Sequence, residues 1–192
     1  MFLQTQRVPR RCDSGLAQQN GTKRLRRKDV KMIEVYIDGS SKGNPGPGGA
    51  GIVIKKAGTE ESLSTHGIPL GHVTNNQAEF LALNHALTEI KTRGHCEQPI
   101  KILTDSQLVV GIFSQNWKAR ANLELVIEIR GLLKEFPQLT FAYVRGHNGN
   151  PGNELADSLA QRAAETQKGN DQAGEKSSSV SLRSIASLQR TS

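Results

Sequence analysis

Four acids in this chain stand where a carboxylate needs a partner. Asp38 closes the strand-like run IEVYI (33–37), in which Ile33, Val35 and Ile37 alternate on one face. Asp105 follows a second such run, IKILT (100–104), in the segment LTDSQ. Glu79, in TNNQAEFLAL, heads an apolar stripe, because its i+3, i+4, i+7, i+8 and i+11 neighbours are Ala82, Leu83, Ala86, Leu87 and Ile90. Asp157 borders the stripe of Ala156, Leu159, Ala160 and Ala163 in the first turns of a last helix. Carboxylates turned inward repel one another unless a cation holds them, and oxygen-only ligands suit Mg²⁺ or Mn²⁺ rather than zinc. Two such ions about 3.5 to 4 Å apart serve phosphodiester chemistry, one activating water and one stabilising the leaving oxygen. Each acid alone also has a plain structural use. Asp105 could cap a helix, Glu79 could be an ordinary first-turn acid, and Asp157 could favour a helix dipole by about 0.3 to 1 kcal/mol. Spacing alone does not bring the four together.

A histidine completes the set of reactive candidates. His147 lies among Gly146, Gly149 and Gly152, on a segment expected to move, and an ordinary imidazole pKa near 6.5 suits proton traffic. A surface loop histidine without a role is the alternative. The run DGSSKGNPGPGGAG (38–51) reads as a loop in which glycines 43, 46, 48 and 49 admit a ligand close to the backbone and prolines 45 and 47 stiffen the path. A tight hairpin would need the same glycines.

The elements that must position these residues follow from periodicity. Strands are expected at 33–37, 50–56, 61–67, 100–104 and 139–144. Helices are expected from Asn75 to about Lys91, over 106–117, over 122–136 with Asn122 as N-cap and Pro137 beyond the end, and over 153–166. The order βββαβααβα implies an α/β fold, a five-stranded mixed sheet flanked by helices.

The 192 residues fit one domain with tails, and hydrophobic content is low at 35%. Residues 1–31 carry nine basic and two acidic side chains, a local +7, while residues 32–168 hold 13 basic and 14 acidic. The basic excess is therefore a property of the N-terminal segment and its attraction to polyanions. Residues 1–31 read as a disordered basic tail, 32–166 as the folded domain, and 167–192 as a disordered Ser-rich tail. Met32 directly precedes the first strand and is a candidate start; the Arg-rich, acid-poor N-terminus and KRLRRK (23–28) are weak transit and nucleic-acid signals. Cys12 and Cys96 form no disulfide or metal pattern, which suits a reducing, cytoplasmic compartment. No run is long and apolar enough to span a bilayer.

DGSSKGNPGPGGAG, TNNQAE, LTDSQ and RGHNGNPGNELADSLA together resemble the type 1 ribonuclease H family, in its order and spacing over about residues 32–166. The resemblance implies a ribonuclease H-like fold and endonucleolytic hydrolysis of the RNA strand of an RNA–DNA hybrid, with two Mg²⁺ ions (Mn²⁺ a possible substitute), leaving 5′-phosphate and 3′-hydroxyl ends. It implies Asp38, Glu79, Asp105 and Asp157 as metal ligands, His147 as a mobile helper in proton transfer or product release, and, more loosely, Glu154 near the second metal. It also implies Asn44, Asn76 and Gln107 as substrate contacts at the hybrid's minor groove, where 2′-hydroxyls mark RNA, and Thr74 in a pocket for a DNA phosphate. The region NWKARANLEL, with only Lys118 and Arg120 basic, resembles compact members without a Trp-rich basic protrusion; Trp117 is expected to be packing. The basic N-terminal tail could then supply the electrostatic grip. Other readings stay open: a two-metal nuclease that also cuts double-stranded RNA, and a hybrid-binding module without catalysis. The default assembly is a monomer.

Overall fold

The computed structural model describes residues 32–146 and 148–166. The expected tails and the possible start at Met32 concern segments that lie, apart from Met32 itself, outside the described residues, as does His147. The strands are β1 (Ile33–Ser41), β2 (Gly46–Lys56), β3 (Ser62–Val73), β4 (Ile100–Thr104) and β5 (Leu139–Tyr143). The helices are α1 (Asn75–Thr92), α2 (Gln107–Ser114), α3 (Leu123–Leu133) and α4 (residues 151–166). One sheet in the order β3-β2-β1-β4-β5 holds all five strands. β1 pairs antiparallel with β2 and parallel with β4; β2–β3 is antiparallel and β4–β5 parallel. This is the expected α/β ribonuclease H-like fold, with its mixed sheet and the element order read from periodicity.

Two faces of the sheet are covered by different chemistry. On one, Ile33, Val35, Ile37, Ile52, Ile54, Ile100 and Ile102 pack against Phe80, Leu83, Leu87, Ile90, Val109 and Ile129 from α1, α2 and α3. β-branched residues suit a pleated surface, and the stripe of α1, free of β-branching except at Ile90, suits a helix. On the other face, Tyr36, Val53 and Leu103 meet Ala156, with Val144 and Leu159 beside them, under α4.

Three expectations need correction. The first three strands are longer than expected, since the Gly/Pro-rich stretch 46–51 is strand β2 and not loop, paired Asp38↔Gly51 through Ser41↔Gly48. Two of its glycines make room for a helix: a Cβ on Gly49 would strike the Ala160 carbonyl and one on Gly51 the Ala156 carbonyl, with Gly67 of β3 placed similarly against Leu159, whereas Gly46 faces the Lys42 backbone and Gly48 the Val73 side chain. Small residues on both sides let α4 lie directly on the sheet. The turn itself is only residues 42–45, where Gly43 has φ of +119°. Asn122 holds the N-cap position of α3 as expected, but in the left-handed region and without a side-chain cap bond. α3 also ends at Leu133, and Phe136 beyond it enters the core.

The glycine track yields a stability prediction. Gly51→Ala has no flexible neighbour to displace, only the backbone of α4. It is expected to cost about 3 kcal/mol, the upper end for overpacking, measured by urea denaturation. Gly58→Ala meets no atom within 4 Å but has φ of +74°, so its smaller loss reports backbone strain alone.

Candidate active site

The parallel pairing of β1 and β4 ends at Tyr36↔Leu103, and the chain beyond it on each strand carries an acid: Asp38 on β1 and Asp105 just past β4. Carboxyl ends of adjacent parallel strands form the usual ligand crevice of α/β folds. Asp105 is not the cap of α2. Ser106 is, its hydroxyl accepting from the Val109 N–H at 3.3 Å, which leaves the Asp105 carboxylate free to face the crevice. Glu79 reaches the same place from α1 because Gly39 of β1 has no side chain; a Cβ there would collide with the backbone of Ala78 and Glu79. One oxygen each from Asp38, Glu79 and Asp105 lie within 4.8 Å of one another.

The electrostatics of this cluster are those of a site built for a cation. Asp38 and Glu79 are buried, at 7% and 8% exposure, and no ion pair among the described residues involves them or Asp105. Burial, then the charges of Asp105 and Asp157, push the Asp38 carboxyl up to about 7 despite an N–H from Gly39. Burial and the charges of Asp38 and Asp105 raise Glu79 well above the ordinary carboxylate range. Glu79 Oε2 has no hydrogen-bond partner. All-oxygen, mutually repelling and without a basic partner, the three carboxylates fit a hard divalent cation.

The other expected site residues are placed as follows. Asp157 on α4 stands outside the group of three but close enough for its charge to act on Asp38, and its Oδ1 accepts from Gln161 Nε2 at 2.6 Å. Gly146, just before His147, touches Asp105 Oδ2 so closely that no side chain fits there. Glu154 Oε1 accepts from the Gly149 N–H at 3.1 Å, tying the loop to α4. Thr74 caps α1 in a reciprocal box with Gln77. Asn44 Oδ1 accepts from the Asn75 N–H at 3.2 Å, so the β1–β2 turn docks on the start of α1. Asn76 is exposed there and lines a cavity of about 540 Å³ floored by Phe80, Leu108 and Trp117 and rimmed by Lys118 and Arg120. Trp117 packs its ring on Gly111 yet stays 48% exposed. Gln107 opens α2 at the surface. Asn153, 2% exposed and bonded to Asp105 Oδ2 at 3.4 Å, escaped the sequence reading. Its signal was available: it precedes Ala156, Asp157 and Ala160 by 3, 4 and 7 residues, on the buried face of α4.

A family model described as RNase H matches residues 30–165. The chain belongs to the type 1 ribonuclease H family. The ribonuclease H of Polynucleobacter asymbioticus is 40% identical over 146 residues, covering 69% of this chain and 90% of that one. That of Cupriavidus metallidurans is 39% identical over 148 residues, covering 69% and 95%. Among solved structures, RNase H1 from the halophilic archaeon Halobacterium salinarum superposes with a TM-score of 0.62 at 31% identity, covering 70% of this chain and 98% of that chain. LC11-RNase H1 in complex with an RNA/DNA hybrid gives 0.64 at 28% identity, covering 70% and 98%. The acid cluster Asp38/Glu79/Asp105 fits the metal-dependent active site of a ribonuclease H.

Proposed function

We propose that the protein is a ribonuclease H that hydrolyses the RNA strand of RNA–DNA hybrids through two hard divalent cations, Mg²⁺ with Mn²⁺ as substitute. The observation that carries this is the convergence of buried Asp38 and Glu79 with half-buried Asp105 within 4.8 Å, without a basic partner, in a chain of this family. Asp38, Glu79 and Asp105 would hold the cations, and Asp157 would add its carboxylate from α4. Bound there, the ions supply an activated water and stabilise the leaving 3′-oxygen, so the products are a 5′-phosphate and a 3′-hydroxyl. His147 moves protons or helps product leave, and Glu154 is bonded to the Gly149 N–H of the same segment. Thr74, at the start of α1, contributes to a pocket for a DNA-strand phosphate, and Asn44 and Asn76 beside it contact the hybrid's minor groove. Gln107 lies at the surface where the hybrid's minor groove passes.

Residues 115–122 lead from α2 directly to α3, and the exposed face of Trp117 with Lys118 and Arg120 takes the place of a basic protrusion. Replacing both Lys118 and Arg120 by Ala is expected to raise KM several-fold and to flatten the salt dependence of log KM by roughly 1.5 to 2 in slope, as two lost phosphate contacts require. No described helix is long and apolar enough to cross a membrane, and the reading adopted is a cytoplasmic monomer.

The deciding assay is cleavage of an end-labelled RNA–DNA duplex in Mg²⁺ beside an RNA–RNA duplex and beside Asp105→Asn. Hybrid-only cutting, lost in the variant, supports the proposal. Cutting of both duplexes makes it a broader nuclease, and binding without cutting makes it a hybrid-binding module.

A further inference from the structure

Two buried side-chain polar atoms among the described residues have no hydrogen-bond partner, Glu79 Oε2 and Asn153 Oδ1, and both side chains surround Asp105. Asn153 sits on α4, yet its side chain does not cap that helix. Asn150 does so, its Oδ1 accepting from the N–H groups of Gly152 at 3.1 Å and Asn153 at 3.3 Å. Nor does Asn153 serve the apolar packing of α4, which rests on Ala156, Ala160 and Ala164. Its Nδ2 donates instead to Asp105 Oδ2, an oxygen closed off on another side by Gly146. The amide orientation is dictated by chemistry, since the reverse would set Oδ1 against a carboxylate, acceptor against acceptor. Oδ1 is therefore an acceptor held in a buried polar site with its donor still to come.

We infer that Asn153 is a positioning residue for the cation site: its N–H holds Asp105 Oδ2 in one orientation, and its Oδ1 is the acceptor for a water bound with the cation. The inference rests on the proposed reading of the acids as ligands and adds a residue that touches no cation itself. Partners that orient a ligand in this way typically contribute 10- to 100-fold to metal affinity.

The test uses the full chain and Mn²⁺, with free ion counted by electron paramagnetic resonance. Asn153→Ala and Asn153→Ser, each checked for a cooperative melt so that either can carry the comparison, are expected to weaken Mn²⁺ binding 10- to 100-fold. They should also lower kcat while KM for the hybrid stays within about twofold. Asn150→Ala, which removes the cap without touching Asp105, should lower the melting temperature and leave Mn²⁺ affinity within about twofold. Wild-type affinity in both Asn153 variants overturns the inference, as does equal weakening by Asn150→Ala. If Asp105→Asn leaves Mn²⁺ binding intact, the ligand reading falls and this inference with it. If Mn²⁺ binds through Asp105 but no hybrid is cut, only the proposed function falls, and the Asn153 and Asn150 affinities still decide.

Discussion

Glu79→Gln is expected to melt several degrees higher than the wild type in EDTA at pH 8 and to lose hybrid cleavage by about 10³-fold or more. The stability gain follows from geometry. Gln keeps the shape of Glu79 against the backbone of Gly39, removes an acid from a cluster of three, and turns the unpartnered Oε2 into an N–H that can donate to Asp38 or Asp105. Relieving a buried unsatisfied charged group is worth about 1 to 3 kcal/mol, at a few degrees per kcal/mol. The activity loss follows from the same change. An amide is a poor ligand for a hard cation, and about 4 kcal/mol of lost transition-state stabilisation is a factor of about 10³. Opposite movement of stability and activity marks a site strained for function. A fall in both would mean that Glu79 is a structural acid whose partner has been misread.

Much of this site was legible because acids on core-facing positions are anomalous wherever the rest of a stripe is apolar. Glu79 is the clearest case, at the head of a stripe whose Ala82, Leu83, Ala86, Leu87 and Ile90 are all buried. Asp105 was ambiguous because TDS offers two capping residues in a row; only the backbone decides that Ser106 caps and Asp105 does not. The glycines of 46–51 misled because a glycine-rich run has the same composition whether a ligand, a turn or a helix approaches it. The reason here is carried by α4, more than 100 residues away, whose Ala156 and Ala160 meet Gly51 and Gly49. Asn122 read as a cap from its type and place, but a left-handed backbone turns its side chain from the helix N–H groups. Asn153 was missed because its importance lies in a bond to a residue 48 positions away, which periodicity can hint at but not supply. Local spacing gives faces and ends; contacts between distant elements give the reason for small or polar residues on those faces.

Without divalent cation, the protein is expected to lose stability as pH rises from about 5.5 to 8, by about 2 kcal/mol from Asp38 alone. Asp38 has a folded pKa raised from 3.8 to about 7. Between those values the folded chain keeps a proton that the unfolded chain has released, so stability is full below the unfolded pKa and declines through the folded one. Besides burial, Asp105 beyond β4 and Asp157 from α4 act in this direction and the Gly39 N–H acts against it, while Glu79 from α1 faces the same cluster. Glu79, raised well above the ordinary carboxylate range by burial and by Asp38 and Asp105, contributes with the same sign. Two groups elsewhere oppose it. Glu89, held low by Ser64, His66 and Arg93 against its burial, favours the fold above the ordinary carboxylate range, and its contribution is flat over this window. His85, lowered by burial, favours the fold as pH rises through 6.5 and so masks part of the fall. The readout is therefore the difference between the wild type and Asp38→Asn in urea denaturation at each pH, in which Glu89 and His85 cancel. That difference should grow steadily in favour of the variant from pH 5.5 to 8 and should reverse in saturating Mg²⁺, where the wild type alone gains from bound cation. A difference that stays constant with pH would mean Asp38 is ionised throughout, held so by a compensating charge, and that the cluster is not waiting for a cation.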